Sequence, residues 1–142
     1  MHAALRSLLA IVAGFLTANV ANIAGSILNG ALFPALASAV VQNDPAALAR
    51  AIETTPGAGA AFAIVLVAWV LGSFAGGYVA ARIAARAPLA HALVVGALFM
   101  AGGVVNNLAF PPPVWFWAAT FVVFLPPAWL GGRIAAREPG AG

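Results

Sequence analysis

The side chains with the most chemical capacity in this sequence are amides set in apolar surroundings. Asn19, Asn22, Ser26 and Asn29 follow one another at spacings of three, four and three, and Asn106 and Asn107 form a second group. On a helix the first four fall within about 80° of arc, on a single face. Each amide carries two donors and an acceptor that lipid does not satisfy, so the stripe must point toward other helices or toward water. Two chemistries fit. The amides can hydrogen-bond helix to helix, or they can line a path and coordinate a polar solute or ion. Acid–base and nucleophilic chemistry do not fit. The acids Asp44, Glu53 and Glu138 lie outside the apolar runs, and neither His2 nor His91 has an acid placed to orient its imidazole. There is no HExxH helix and no phosphate-binding glycine loop, and the absence of cysteine removes disulfides, thiolate metal sites and a thiol nucleophile. The reading is a chain that is not an enzyme, with no catalytic, cofactor or metal site.

The elements that must position these amides are unambiguous in class. Hydrophobic residues make up 64% of the 142 and charged residues 6%, against the roughly 25% charged of a soluble domain. Four apolar stretches, Leu5–Phe33, Ala58–Ala81, Leu89–Phe110 and Val114–Gly132, reach or approach the ~20 residues that cross a hydrocarbon core. Their interiors hold no Asp, Glu, Lys or Arg. Backbone polar groups in lipid must be satisfied within the segment, and segments of this length do so as helices. The predicted fold is therefore an all-α membrane protein, a single domain forming a four-transmembrane-helix bundle, with an external segment over residues 34–57.

Charge sets the orientation. Arg6 stands at the start of the first span, Arg82 and Arg86 join the second to the third, and Arg133 and Arg137 follow the fourth. Only Arg50 lies at the opposite ends, beside Asp44 and Glu53. The positive-inside rule then places both termini in the cytoplasm. These arginines are dispersed topology anchors without a continuous basic face, so the net charge of +3 points to membrane lipid as partner and not to nucleic acid. Met1–Leu16 has the basic start and apolar run of a secretory signal, and Ala24-Gly25-Ser26 is a small-residue site. The apolar run nonetheless continues to Phe33, and the reading is an uncleaved span.

Outside the spans, Asn43-Asp44-Pro45 puts a capping residue ahead of proline at a first helical position, with Leu48 and Ile52 four apart. This predicts a short external helix, lying either on the membrane surface or as an ordinary capped loop helix. Asn29-Gly30 and Phe33-Pro34 are places for the first helix to end or bend. Trp115 and Trp117 open the fourth span and Trp129 closes it, as interfacial aromatics do. Trp69, near the middle of span two, needs an acceptor for its indole N–H and should face the bundle interior or a neighbouring subunit.

Span two carries the packing signal. Gly72, Gly76 and Ala80 recur every four residues, and Ser73, Gly77 and Ala81 make a second ladder beside them. Small residues at this period let helix backbones approach, which marks span two as the centre of the bundle or as a seam between copies. A partial repeat is also visible. Gly76-Gly77 precedes Arg82-Ile83-Ala84-Ala85-Arg86, Gly131-Gly132 precedes Arg133-Ile134-Ala135-Ala136-Arg137, and His2-Ala3 and His91-Ala92 each lead toward an outer asparagine pair. A duplication into two parallel helical hairpins would give this pattern, and so would a composition rich in Ala, Gly and Arg.

The runs Ala68-Trp69-Val70-Leu71-Gly72-Ser73-Phe74-Ala75-Gly76-Gly77 and Phe124-Leu125-Pro126-Pro127-Ala128-Trp129-Leu130-Gly131-Gly132-Arg133, with Pro113-Val114-Trp115-Phe116-Trp117, resemble a family of small four-span bacterial inner-membrane proteins. The resemblance implies four spans and a bacterial inner-membrane location, and it brings no assigned activity. The family pattern tends to place an acidic residue and a histidine late in helix one, where this chain has Ser26, Asn29 and Gly30. An activity resting on those ionisable groups would be missing here. Taken together, the residues point to a structural or accessory membrane protein, a homo-oligomer or a subunit of a larger membrane complex. The alternative is a small oligomeric channel or facilitator for a polar solute lined by the asparagines.

Overall fold

The computed structural model describes residues 3–138, all of whose regular elements are helices. In chain order these are α1 (Ala3–Leu32), α2 (Pro34–Val41), α3 (Pro45–Thr54), α4 (Ala58–Ile83), α5 (Pro88–Ala109), α6 (Val114–Val122) and α7 (Leu125–Arg137). Four stretches are long and apolar enough to cross a membrane: α1, α4, α5, and α6 with α7 taken together as Val114–Arg137. The outward face of α1 is a row of exposed Leu5, Leu8, Val12, Leu16, Val20, Ile23 and Ile27, a surface suited to lipid and not to water.

Bends fall where the backbone chemistry demands them. Helix α1 stops at Leu32, and Pro34 takes the first position of α2. The Asp44 carboxylate caps α3 by accepting from the Ala47 N–H at 2.9 Å. The external segment thus holds two short helices where the sequence indicated one. The apolar side of α3 is consumed within the chain: Leu48 and Ala51 bury against Leu36 and Ala39 of α2 and Ala58 and Ala61 of α4, with Ile52 alongside. Of the two alternatives for this helix, the packed, capped one holds.

The fourth span departs from the sequence reading. Val114–Gly132 was expected as one continuous helix, but the chain breaks after Val122 and restarts at Leu125, with Pro126 and Pro127 in the first turn of α7. Prolines at these positions donate no hydrogen bond to the carbonyls of Val122 and Val123 four residues back, which is why the helix is interrupted. The break turns Phe124 fully inward, against Trp69 and Phe99 at ring distances of 5.0 and 5.3 Å. Because α7 runs on to Arg137, Trp129 lies about 12 Å short of the helix end and not at it.

The core of the bundle is backbone against backbone. A methyl placed on Gly14 of α1 would stand 2.6 Å from the Gly76 carbonyl oxygen, and one on Gly76 would stand 2.6 Å from that of Gly14. Likewise Gly72 faces the Ala18 carbonyl, Gly77 lies against the Ala128 backbone, and Gly131 against Phe74 O and Tyr78 N. The α1 pairings make it antiparallel to α4, and the succession Trp69–Phe124, Gly77–Ala128 and Ala81–Gly132 makes α4 parallel to α7. Gly72, Ser73, Gly76, Gly77, Ala80 and Ala81 are all buried inside the single chain. The ladder of span two is therefore the axis of the bundle itself, and its two faces are spent on α1 and α7. Helix α5 packs on α1, α4 and α7, and seats Val95 and Phe99 beside Gly76 and Gly72. Helix α1 pairs antiparallel with α4, and α5 with α7, where Gly96 meets Ala128 and Gly132 meets Ala92; only the second pair contains the broken span. The His2 half of the His-Ala match lies outside the described residues.

Candidate functional site

The two groups of asparagines meet. At the bundle half opposite the end that holds five of the six arginines, α1 and α5 leave between them a cavity of about 460 Å³ lined by Asn19, Asn22, Ser26 and Asn29 from one helix and Asn106 and Asn107 from the other. Its back wall is α4, through Ala61, Phe62, Val65 and Trp69. Phe33, Leu36 and Val40 of the α2 region and Leu48 of α3 line it above, and Pro112 and Phe116 line it on the α6 side. Toward the arginines it ends where Gly14 and Ala18 of α1 meet Gly76 and Gly72 of α4. The cavity is a blind recess in this chain.

Each amide has a distinct job. Trp69, 4% exposed, donates its indole N–H to Asn22 Oδ1 at 3.2 Å, which answers the demand for an acceptor. Asn29 Nδ2 donates to the Ala61 carbonyl at 3.0 Å. These two bonds tie α1 to α4, each of a kind that contributes about 0.6–2 kcal/mol in lipid. Asn107, 1% exposed, donates to Thr120 Oγ1 at 2.8 Å, and Thr120 passes its own hydrogen to Phe116 O at 2.8 Å. Asn19 and Ser26 bond only one turn back along α1, to Phe15 O at 2.8 Å and Asn22 O at 3.0 Å. Asn106 is exposed and has no side-chain bond among the described residues.

These networks fix how the amides are oriented. A backbone carbonyl can only accept, so Asn29 must turn its NH₂ to Ala61; Thr120 has used its hydrogen, so Asn107 must turn its NH₂ to it. Both Oδ1 atoms are left buried without a partner in the chain. An amide-type group left so costs about 2–7 kcal/mol against water when transferred to an apolar medium. Asn29 and Asn107 thus serve as glue with their nitrogens, and each of these two lining residues keeps an unpaired, buried acceptor.

The aromatic side of the site was not legible as a site. Phe116 and Phe124 pack on Trp69, and Phe62 packs in turn on Phe116, with ring distances of 5.4 Å for Trp69–Phe116 and 5.2 Å for Phe62–Phe116. Sequence reading singled out Trp69 but none of these, and it passed over Thr120, whose signal was a lone hydroxyl in an apolar helix. Trp115 stands exposed at the start of α6, edge-on to Phe62, and Trp117 is half-buried beside it. Trp129 lies beneath Arg133, 4.9 Å from the guanidinium carbon to the ring centre.

The arginine end is built differently. Arg6 Nε donates to the Ile83 carbonyl at 2.6 Å, which ties α1 to the end of α4. Arg82 pairs with Glu138 at 3.6 Å, and Tyr78 donates to the same carboxylate at 2.8 Å. Arg86, Arg133 and Arg137 are exposed. His91 Nδ1 lies 3.0 Å from Ala87 O, one turn back. No three His, Asp or Glu side chains cluster as a metal site would require among the described residues. No family model matches the chain, and no curated protein or solved structure is significantly similar to it.

Proposed function

We propose that this chain is an accessory integral membrane protein of the bacterial inner membrane that works by binding and not by catalysis, through the recess between α1 and α5. The observation that carries the reading is the convergence of six polar side chains from two spans on one cavity, with two buried acceptors left over after the helices are tied. The lining has no ionisable group among the described residues, which supports a binding role over proton coupling. Support for the inner-membrane location comes from the family resemblance, and support for cytoplasmic termini from the arginines, five of which sit at one end of the bundle.

Assembly with a second copy or within a larger membrane complex belongs to this reading, and it must use surfaces other than the α4 ladder. Ala21 and Ala24 of α1 and Ala60 and Ala63 of α4 are small residues that line one shallow apolar groove on the outside of the bundle. The facilitator reading rests on the same asparagines, but the close Gly14–Gly76 contact counts against a path through one chain.

The deciding experiment is gentle extraction from the native membrane followed by native mass spectrometry. A protein partner or small-molecule adduct in stoichiometric amount is the expected result. A bare homo-oligomer that passes a polar solute across liposomes, with flux abolished by Asn22→Leu in a folded protein, would overturn the accessory reading in favour of the facilitator.

A further inference from the structure

Resting on the binding reading, we propose that the occupant of the recess is a neutral amphiphile of the bilayer whose head presents hydroxyl or amide N–H donors, and that it enters sideways between α1 and α5.

The donor requirement comes from what the chain leaves unpaired. Asn29 and Asn107 have their NH₂ groups committed to Ala61 O and Thr120 Oγ1, and it is the two Oδ1 acceptors that lack partners. A head group with hydrogens to give completes these bonds, whereas one with acceptors alone does not. Neutrality follows from the wall: no ionisable side chain lines it among the described residues, so a charged head would lose its hydration without a counter-charge. An ammonium head held by cation–π contact is disfavoured as well, because Phe116 and Phe124 already pack on the Trp69 ring.

Sideways entry follows from the rim. Ser26, Gly102 and Asn106 line the recess and are exposed, and they stand among exposed Ile23, Ile27, Val105 and Leu108 on the flank of the bundle. At the α2–α3 end Leu36 and Leu48 are buried in the contact with α4, and the exposed lining residues there, Val40 and Val41, are apolar as well. A mouth on the lipid-facing flank admits a head still attached to its acyl chain, which stays beside Phe15 and the neighbouring apolar rim.

Gly102 supplies the test. A Cβ there meets nothing within 4 Å, so Gly102→Phe adds a ring at the mouth without forcing the backbone, while Asn29→Leu removes one of the acceptors inside. The full chain in phosphatidylcholine nanodiscs would be titrated with a monoacylglycerol, with its di-O-methyl ether of the same acyl chain, with lysophosphatidylcholine and with free glycerol, and occupancy read by native mass spectrometry. The monoacylglycerol should bind at least about tenfold more tightly than the ether or the lysophospholipid. Gly102→Phe should abolish its binding, Asn29→Leu should weaken it, and glycerol should fail to compete. Equal binding of ether and parent would overturn the donor requirement. Competition by glycerol would make the ligand a soluble polyol, and binding indifferent to Gly102→Phe would move it out of this recess. Failure of all the lipids to bind while a partner or other adduct is still recovered from native membrane would refute this ligand class and leave the binding reading standing.

Discussion

Asn22 and Trp69 depend on each other in a way that isolates one interhelical hydrogen bond. The indole has a single donor, it is buried mid-span, and its one acceptor sits on another helix. Asn22→Leu should therefore destabilise the bundle by about 0.6–2 kcal/mol, read as a lower midpoint in denaturant titration of the micelle-bound protein. An unchanged midpoint would mean that Trp69 finds another acceptor. Backbone conformation gives a second residue-scale prediction. Gly57 precedes α4 at φ 75°, in the left-handed region, with open space around its Cβ position. Gly57→Ala carries no steric clash with neighbours, so any loss isolates the left-handed penalty, about 1–2 kcal/mol. Asn22 was legible as a polar residue that must face inward, because lipid leaves it no alternative. That its partner is Trp69, and not an amide of α5, depends on the rotation of α1 against α4, which neither helix specifies alone.

At the scale of elements, the same residue type has opposite roles on two helices. Gly76→Ala inserts a methyl 2.6 Å from the Gly14 carbonyl oxygen and should cost about 1–3 kcal/mol by overpacking. Gly102→Ala on α5 meets nothing and should be neutral or stabilising by up to about 1 kcal/mol through helix propensity. A thermal-denaturation comparison of the two variants checks both, and equal losses would contradict the α1–α4 backbone contact. The ladder's four-residue period made α4 a packing helix in advance. Whether it packed within the chain or between chains was undecidable from the period, because both uses need the same small side chains. The break in the fourth span is the reverse case. Pro126-Pro127 is plain in the sequence, yet an apolar run of adequate length masks it in any reading based on hydropathy. Phe124, turned inward at that break, should be the costly residue there: Phe124→Ala about 3–5 kcal/mol, as for a buried aromatic.

For the whole molecule, the two ends are held by different physics. At the capped end, α2 and α3 lock onto α4 through Leu36, Leu48 and Ala61. At the arginine end, polar contacts link α1, α4 and the residue after α7, by way of Arg6–Ile83, Tyr78–Glu138 and Arg82–Glu138. The Arg82 and Glu138 side chains are 34% and 41% exposed, so solvent screens the pair, and Glu138→Gln should change stability by no more than about 1 kcal/mol. Orientation has a direct test because the chain has no native cysteine. In intact cells, Arg50→Cys should react with a membrane-impermeant maleimide and Arg86→Cys should not. Labelling of Arg86→Cys alone would invert the topology. The sequence by itself determined the helical class, the number of spans and the placement of five of the six arginines at one end, because hydrocarbon leaves backbone amides and charged side chains so few options. Only the tertiary structure decided that the asparagines of α1 and α5 share one recess, that it is blind, and that its spare atoms are acceptors. Those outcomes depend on where glycines of two helices face each other, as Gly14 and Gly76 do, and where a glycine such as Gly102 faces open space instead, a property of pairs of helices that no single span carries.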